Sequence, residues 1–247
     1  LMSLVYLGAC RQTAKNDDTI FSLDPATTAI YADSVGKIVK PGLVPGLSAK
    51  LWGIDTLVTS PIAIDIDDQG RLYYTTTKRQ NNSEFDIRGH RDWEIPSISF
   101  QTVEDRRKFL HTEFAPENSA RNNWLKDLNG DSSHDWRDLT VEKEYVYRLE
   151  DINGDGVADK SQKVVEDFHD EVTDVAGGVL SDGDDLFVAV APDLWRMKDK
   201  NGDGIADDKT SISHGYGVHI GFGGHGMSGI EMGPDGTDPV DSEFDVL

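Results

Sequence analysis

The stretch "DINGDGVADK", Asp151 to Lys160, returns forty-eight residues later as "DKNGDGIADD", Asp199 to Asp208. Each copy follows an apolar-aromatic run, "YVYRLE" and then "DLWRMK". A repeat of roughly 40–50 residues holding several short strands predicts stacked antiparallel sheets, one per repeat, as in a β-propeller. Helical repeats of that length would carry i, i+3, i+4 apolar patterning, which these segments lack. The same strand–turn–strand order occurs in "SPIAIDIDDQGRLYYTTT" (60–77), with its turn at Asp68-Gln69-Gly70, and in "GGVLSDGDDLFVAVA" (177–191). Its first half recurs in "SGIEMGPDG" (228–236). The chain therefore reads as all-β from residue 19 to residue 247.

One segment breaks this rhythm. Residues 78–140 are polar and charged, and "TVEDRRKFLHTEF" predicts a short helix with Thr102 as its N-cap. They read as an insertion between blades, over one mouth of the propeller. Trp93, Trp124 and Trp136 either pack it down or stack on sugar rings. Without the insertion and residues 1–18, the length suffices for about four blades, a truncated arc with unpaired edges.

The repeated ten-mers have the donor order of a calcium loop. Asp151, Asn153, Asp155 and Asp159 stand at places one, three, five and nine, Val157 offers a carbonyl at seven, and Gly156 takes the sharp turn at six. Asp199, Asn201, Asp203, Ile205 and Asp207 repeat the set around Gly204. A third copy, "DLNGDSSHD", supplies Asp127, Asn129, Asp131, Ser133 and Asp135, with Ser132 where glycine belongs. Place twelve holds Gln162 and Thr210 in the first two copies, so neither is a complete EF-hand. The plainer alternative is an Asn-Gly hairpin turn that is acidic for solubility. The expected role is structural, with an affinity on the order of 10⁻⁴ M.

The formal charge is -21, which argues against a nucleic-acid partner, since phosphate binding needs clustered Lys and Arg. The lone cysteine, Cys10, excludes an intrachain disulfide. It closes "LMSLVYLGAC" ahead of a polar stretch and reads either as the acylated cysteine of a lipoprotein signal or as a buried residue in a first strand. The first reading makes residues 1–18 a signal tail and linker. It places the protein outside the cytoplasm, periplasmic or on the outer membrane, touching lipid only through its anchor.

Chemistry, if present, belongs to "GVHIGFGGHGMSGIEMGPDG" (217–236), where glycines let backbone approach a ligand while His219 and His225 present imidazoles. The stretch resembles the soluble quinoprotein glucose/sorbosone dehydrogenases, six-bladed propellers using pyrroloquinoline quinone (PQQ) and calcium. In that family a histidine eight residues before a Gly-Pro-Asp turn is the general base. Here His225 stands eight before Gly233-Pro234-Asp235, with Gly229 as the small residue between. Together with "RLEDINGDGVAD" it is also similar to the propeller of large exported membrane-bound dehydrogenase-type proteins of Bacteroidetes and Planctomycetes, over residues of about 55–236.

The resemblance implies a sugar or polyol substrate, His225 as base, His219 as its neighbour or a ligand, and PQQ as hydride acceptor. It also implies a c-type cytochrome or another electron acceptor as partner. No Cys-x-x-Cys-His occurs in the chain, and the residues that grip the quinone in the family have no counterpart that can be placed. Both histidines can equally decorate a glycine loop. Two functions therefore stand: a quinone-dependent sugar dehydrogenase-like domain that is incomplete alone, and a non-enzymatic, calcium-stabilised propeller binding glycans or a surface protein. A basic cluster facing His225 would favour the first; an acidic cavity would favour the second.

Overall fold

The computed structural model describes residues 19–39, 41–80 and 82–233. Among these residues nine strands form two antiparallel sheets: β1 (Ile20–Ser22), β2 (Ile64–Ile66), β3 (Leu72–Thr77), β4 (Glu144–Glu150) and β5 (Lys160–Asp167), then β6 (Gly178–Asp182), β7 (Asp185–Val190), β8 (Asp193–Lys198) and β9 (Asp208–His214). The orders are β1-β5-β4-β3-β2 and β6-β7-β8-β9, so each repeat is a four-stranded meander, with β1 added to the outer edge of the first. Among the described residues no sheet closes into a barrel. Among the described residues no helix is long and apolar enough to cross a membrane.

The sequence repeat is a structural repeat. The acidic ten-mers are the tips of the β4–β5 and β8–β9 hairpins. Each hairpin also has one register shift, at Val146/Tyr147 and at Leu194/Trp195, again forty-eight residues apart. A bulge at the same place in both bends the two ribbons alike, so their faces match when stacked.

The sheets pack face to face over a core that includes Tyr73, Val146, Val165, Val188, Val190 and Met197. Each such side chain contributes roughly 1.5–3 kcal/mol by leaving water. Hydrogen bonds fix both ends of the interface. At β2, Asp65 Oδ2 accepts from the N–H and Oγ of Ser181, each at 2.7 Å. At the outer rim, Ala206 N–H donates to the Val164 carbonyl at 2.9 Å.

The far face of the first sheet is covered by α1 (Pro25–Ile38) and residues 51–58, through Ala32, Ile54, Leu57, Tyr74 and Leu149. Asp24 caps α1 by accepting from Thr27 N–H at 3.0 Å, and a proline opens its first turn. The two antiparallel sheets are consistent with the all-β reading, but part of the chain expected as strands is not. Residues 25–38 are helix and 41–63 contain no strand, so the described residues form two sheets where length alone predicted about four blades.

The insertion is placed differently too. It lies within one sheet, because β3 and β4 pair directly with Thr77 opposite Glu144. It contains α2 (Glu94–Ser99) and α3 (Val103–Glu113), the latter capped by Thr102 in a reciprocal box with Asp105. Its core gathers Trp93, Phe100, Leu110, Phe114, Leu125 and Leu139 with Val172 and Ile220 from outside the insertion. Trp93 is buried and Trp136 half-buried, while Trp124 stays about half exposed, at 49%.

Arg79, only 1% exposed, ties the insertion's ends together. It donates to the carbonyls of Leu139, Glu142 and Phe168, at 3.2, 2.8 and 3.0 Å. Its Nε lies 3.2 Å from the Glu144 carboxylate, within ion-pairing distance though not aligned as a hydrogen bond.

Candidate functional site

Each acidic loop is shaped by its own side chains. Asp151 Oδ1 accepts Gly154 N–H at 2.7 Å and its Oδ2 accepts Gly156 N–H at 2.7 Å. Asp199 does the same for Gly202 and Gly204, at 2.7 and 2.6 Å. Asn153 and Asn201 accept from Asp155 and Asp203, which accept in turn from Val157 and Ile205. Burial raises the Asp199 carboxyl, but the N–H groups of Gly204, Gly202, Asn201 and Asp203 together hold it below the usual range.

Glycine at place six is required twice over. Gly156 and Gly204 both have φ of +84°, and each is closely approached, by Lys50 and by the Gln162 side chain. Those same side chains donate to the carbonyls of Asp155 and Asp203. Ser132 adopts the same turn at φ +69° without being glycine.

Place nine behaves differently from the other donors. Asp159 is buried; its Oδ1 accepts from Thr28 Oγ1 of α1 at 2.6 Å and its Oδ2 from Ile152 N–H at 3.2 Å. Asp207 likewise accepts Lys200 N–H at 2.9 Å. In the third loop Asp135 turns to cap residues 136–140, bonding Arg137 at N–H and Nη1. Asp138 closes that loop instead, accepting from Leu128, Asn129 and Asp135 N–H groups. Sequence reading passed over Asp138, although an acid at place twelve was visible there. Among the described residues no three side chains of the His, Cys, Asp and Glu types gather as one metal-holding group. Within each loop the donors that remain are two carboxylates (Asp151 and Asp155, Asp199 and Asp203, Asp127 and Asp131), an Asn amide oxygen and a carbonyl or hydroxyl at place seven.

The second feature is a cavity of about 530 Å³ where insertion, second sheet and glycine-rich segment meet. The insertion grips that segment through one backbone donor and two carboxylate acceptors. Ile87 N–H donates to the Gly221 carbonyl at 2.9 Å, Gly223 N–H to Asp86 at 3.1 Å, and Gly224 N–H to Glu84. From the other side, Gly229 N–H reaches the Gly177 carbonyl at 3.3 Å. A methyl on Gly177 would stand 2.0 Å from the Met227 carbonyl oxygen, so only glycine permits this approach.

His219 and His225 both line the cavity, together with Asp174, Glu84, Arg106 and Tyr216. Their rings differ in constraint. His219 Nδ1 lies 2.7 Å from the Ser97 carbonyl, which only accepts, so Nδ1 carries the hydrogen and Nε2 keeps its lone pair in the neutral ring. The His225 ring has no hydrogen-bond partner among the described residues and meets Phe222 edge-on at 6.1 Å. Asp174 is pressed against Gly226, where a methyl would fall 2.8 Å from Oδ2. Burial raises the Glu84 carboxyl, opposed by its bond from Gly224.

Arg106 is the residue that sequence reading missed, because α3 reads only as a short amphipathic helix within a polar, charged insertion. It is only 7% exposed, and its Nη1 donates to the Gly217 carbonyl at 2.7 Å. Among the cavity's wall residues it is the one Lys or Arg, against the carboxylates of Glu84 and Asp174. That wall does not fit a quinone with three carboxylates. Cys10, Pro234 and Asp235 lie outside the described residues.

The family model described as a domain of unknown function (DUF7133) matches residues 39–237, and the chain belongs to that family. No curated protein and no solved structure matches it.

Proposed function

We propose that this DUF7133 member is a calcium-braced, propeller-type module of the quinoprotein sugar-dehydrogenase kind, and that its cavity takes a sugar or polyol. The observation that carries the reading is the cavity itself, which gathers two imidazoles, two carboxylates and a guanidinium beside aromatic rings at the glycine-rich segment. Convergent polar groups set among apolar walls are what a small polyhydroxylated ligand needs. In support of the propeller, the two sheets repeat in order, tip loop and bulge, and β6 packs beside β2. Residues 227–229 lie beside β6 in turn, as a third first strand would.

In this reading the imidazoles receive the proton of a bound hydroxyl: His219 through the lone pair on Nε2, or His225, which the family resemblance favours. Asp174 and Glu84 accept hydrogen bonds from the remaining hydroxyls. The mismatch between one guanidinium and three carboxylates favours a second reading, in which this chain by itself binds its ligand and does not oxidise it. Export with a lipid anchor on Cys10 is part of the same proposal. So is calcium held by the two hairpin tips, where the donor set of carboxylate, amide and carbonyl oxygens suits a hard cation.

Dye reduction by the purified chain with PQQ, calcium and a panel of aldoses and polyols separates the two. The binding-only reading expects saturable binding of a panel member without dye reduction. Quinone-dependent turnover would return the chain to the oxidoreductases, and absence of both would remove the cavity as a sugar site.

A further inference from the structure

We infer that the cavity is built for a sugar acid, a ligand carrying one carboxylate among its hydroxyls, with Arg106 as the anion contact. This rests on the sugar-binding reading above and names the class of sugar.

Two buried arginines make the argument by contrast. Arg79 has three carbonyls around it and a carboxylate 3.2 Å from Nε. Arg106 is nearly as buried, yet it makes one hydrogen bond, to the Gly217 carbonyl, and no ion pair among the described residues. Its Nε is buried with no partner. An uncompensated charge away from water is costly, and buried arginines are normally paired. Asp174 acts on Arg106 through space without reaching ion-pair distance, while Arg79 repels it; burial, the largest influence, already lowers its pKa. Arg106 is among the residues that line the cavity.

The chemistry of the wall narrows the ligand. A planar guanidinium with free donors suits a carboxylate held at two points. Glu84 and Asp174 stand on the same wall. They would repel a phosphate dianion but accept hydrogen bonds from hydroxyls on a monoanion. The chain's charge of -21 opposes any anion at long range. At 0.15 M ionic strength, however, screening confines that opposition to about 8 Å, so the contact at Arg106 decides affinity.

Calorimetric titration of the purified chain with D-glucuronate and with D-glucose tests this, alongside Arg106→Gln and Arg106→Lys, with folding checked by circular dichroism. The expected result is glucuronate binding about tenfold tighter than glucose, one charge-assisted contact being worth about 1.4 kcal/mol or more. Arg106→Gln cancels the preference, bringing glucuronate to the affinity that glucose has for the same variant. Arg106→Lys keeps the charge and loses the fork, giving an intermediate loss, and it serves where the Gln variant does not fold. Equal affinity for both sugars on the unmodified chain overturns the anion contact while leaving the sugar site standing. A glucuronate preference that survives both substitutions also overturns it. Binding of neither sugar removes the contact and the sugar reading together.

Discussion

Asp199→Ala separates a calcium loop from a turn that is merely acidic. The substitution deletes the acceptor of two backbone N–H groups, at 2.7 and 2.6 Å. Removing such a local cap costs about 1 kcal/mol, with or without metal. Calcium adds a second contribution. For a loop with Kd on the order of 10⁻⁴ M, about 10 mM calcium is 100 times Kd and stabilises the folded chain by about 2.7 kcal/mol. The variant forfeits this, so its deficit grows from about 1 kcal/mol in chelator to nearly 4 kcal/mol in calcium. At about 2–4 °C per kcal/mol for a chain of this size, the gap in Tm widens from about 3 °C to about 10 °C. Thermal melts followed by far-ultraviolet circular dichroism, in chelator and in about 10 mM calcium, read both gaps. If the two gaps are equal, the loops are hydrogen-bonded turns and hold no ion.

Gly177→Ala drives a methyl to 2.0 Å from the Met227 carbonyl oxygen, and such overpacking costs about 1–3 kcal/mol. The urea midpoint should fall and sugar binding with it. Gly36→Ala, in α1 with open space around it, should gain about 0.5–1 kcal/mol. Equal effects from the two would disprove the close approach. Glu144 is the pH-sensitive group: burial pushes its carboxyl up to about 7, against donors at Thr77, Ala176 and Arg79. A folded pKa above the unfolded value means that the fold binds the proton more tightly. Its contribution is therefore full below about 4.5 and lost as pH rises through 7, by about 1–3 kcal/mol. Glu144→Gln leaves Arg79 uncompensated and lowers stability throughout, but it should flatten that slope in denaturation curves between about pH 5 and 7.5. An unchanged slope would assign the titration elsewhere.

What was legible in the sequence was local. Hairpin-tip loops, the glycine at place six and the Thr102 cap are each written within a dozen residues, where turn and cap chemistry act. The left-handed turn forced on Ser132 was legible for the same reason. What was not legible depends on partners far along the chain. The insertion's place within a sheet follows from Thr77 meeting Glu144, and nothing near either residue announces that pairing. Helix α1 buries only Thr28 and Ala32 while leaving Ile30 and Tyr31 exposed. It therefore shows no apolar stripe, and only its Asp24-Pro25 start betrays it. Arg106 owes its burial to a carbonyl 111 residues away, and His219 owes its fixed ring to one 122 residues away. The glycine-rich segment and its two histidines line the cavity. Of the charged groups beside it, Glu84 and Arg106 come from the insertion, which sequence reading had treated as a cover, and Asp174 from the stretch between β5 and β6.

The cavity is tested most directly by following the histidine ring signals in nitrogen–proton NMR spectra while D-glucuronate and D-glucose are titrated into the intact chain. The account predicts saturable shifts of His219 and His225, with His134 in the insertion unmoved. Rings that stay still to saturating sugar, or that all shift together without saturating, contradict it.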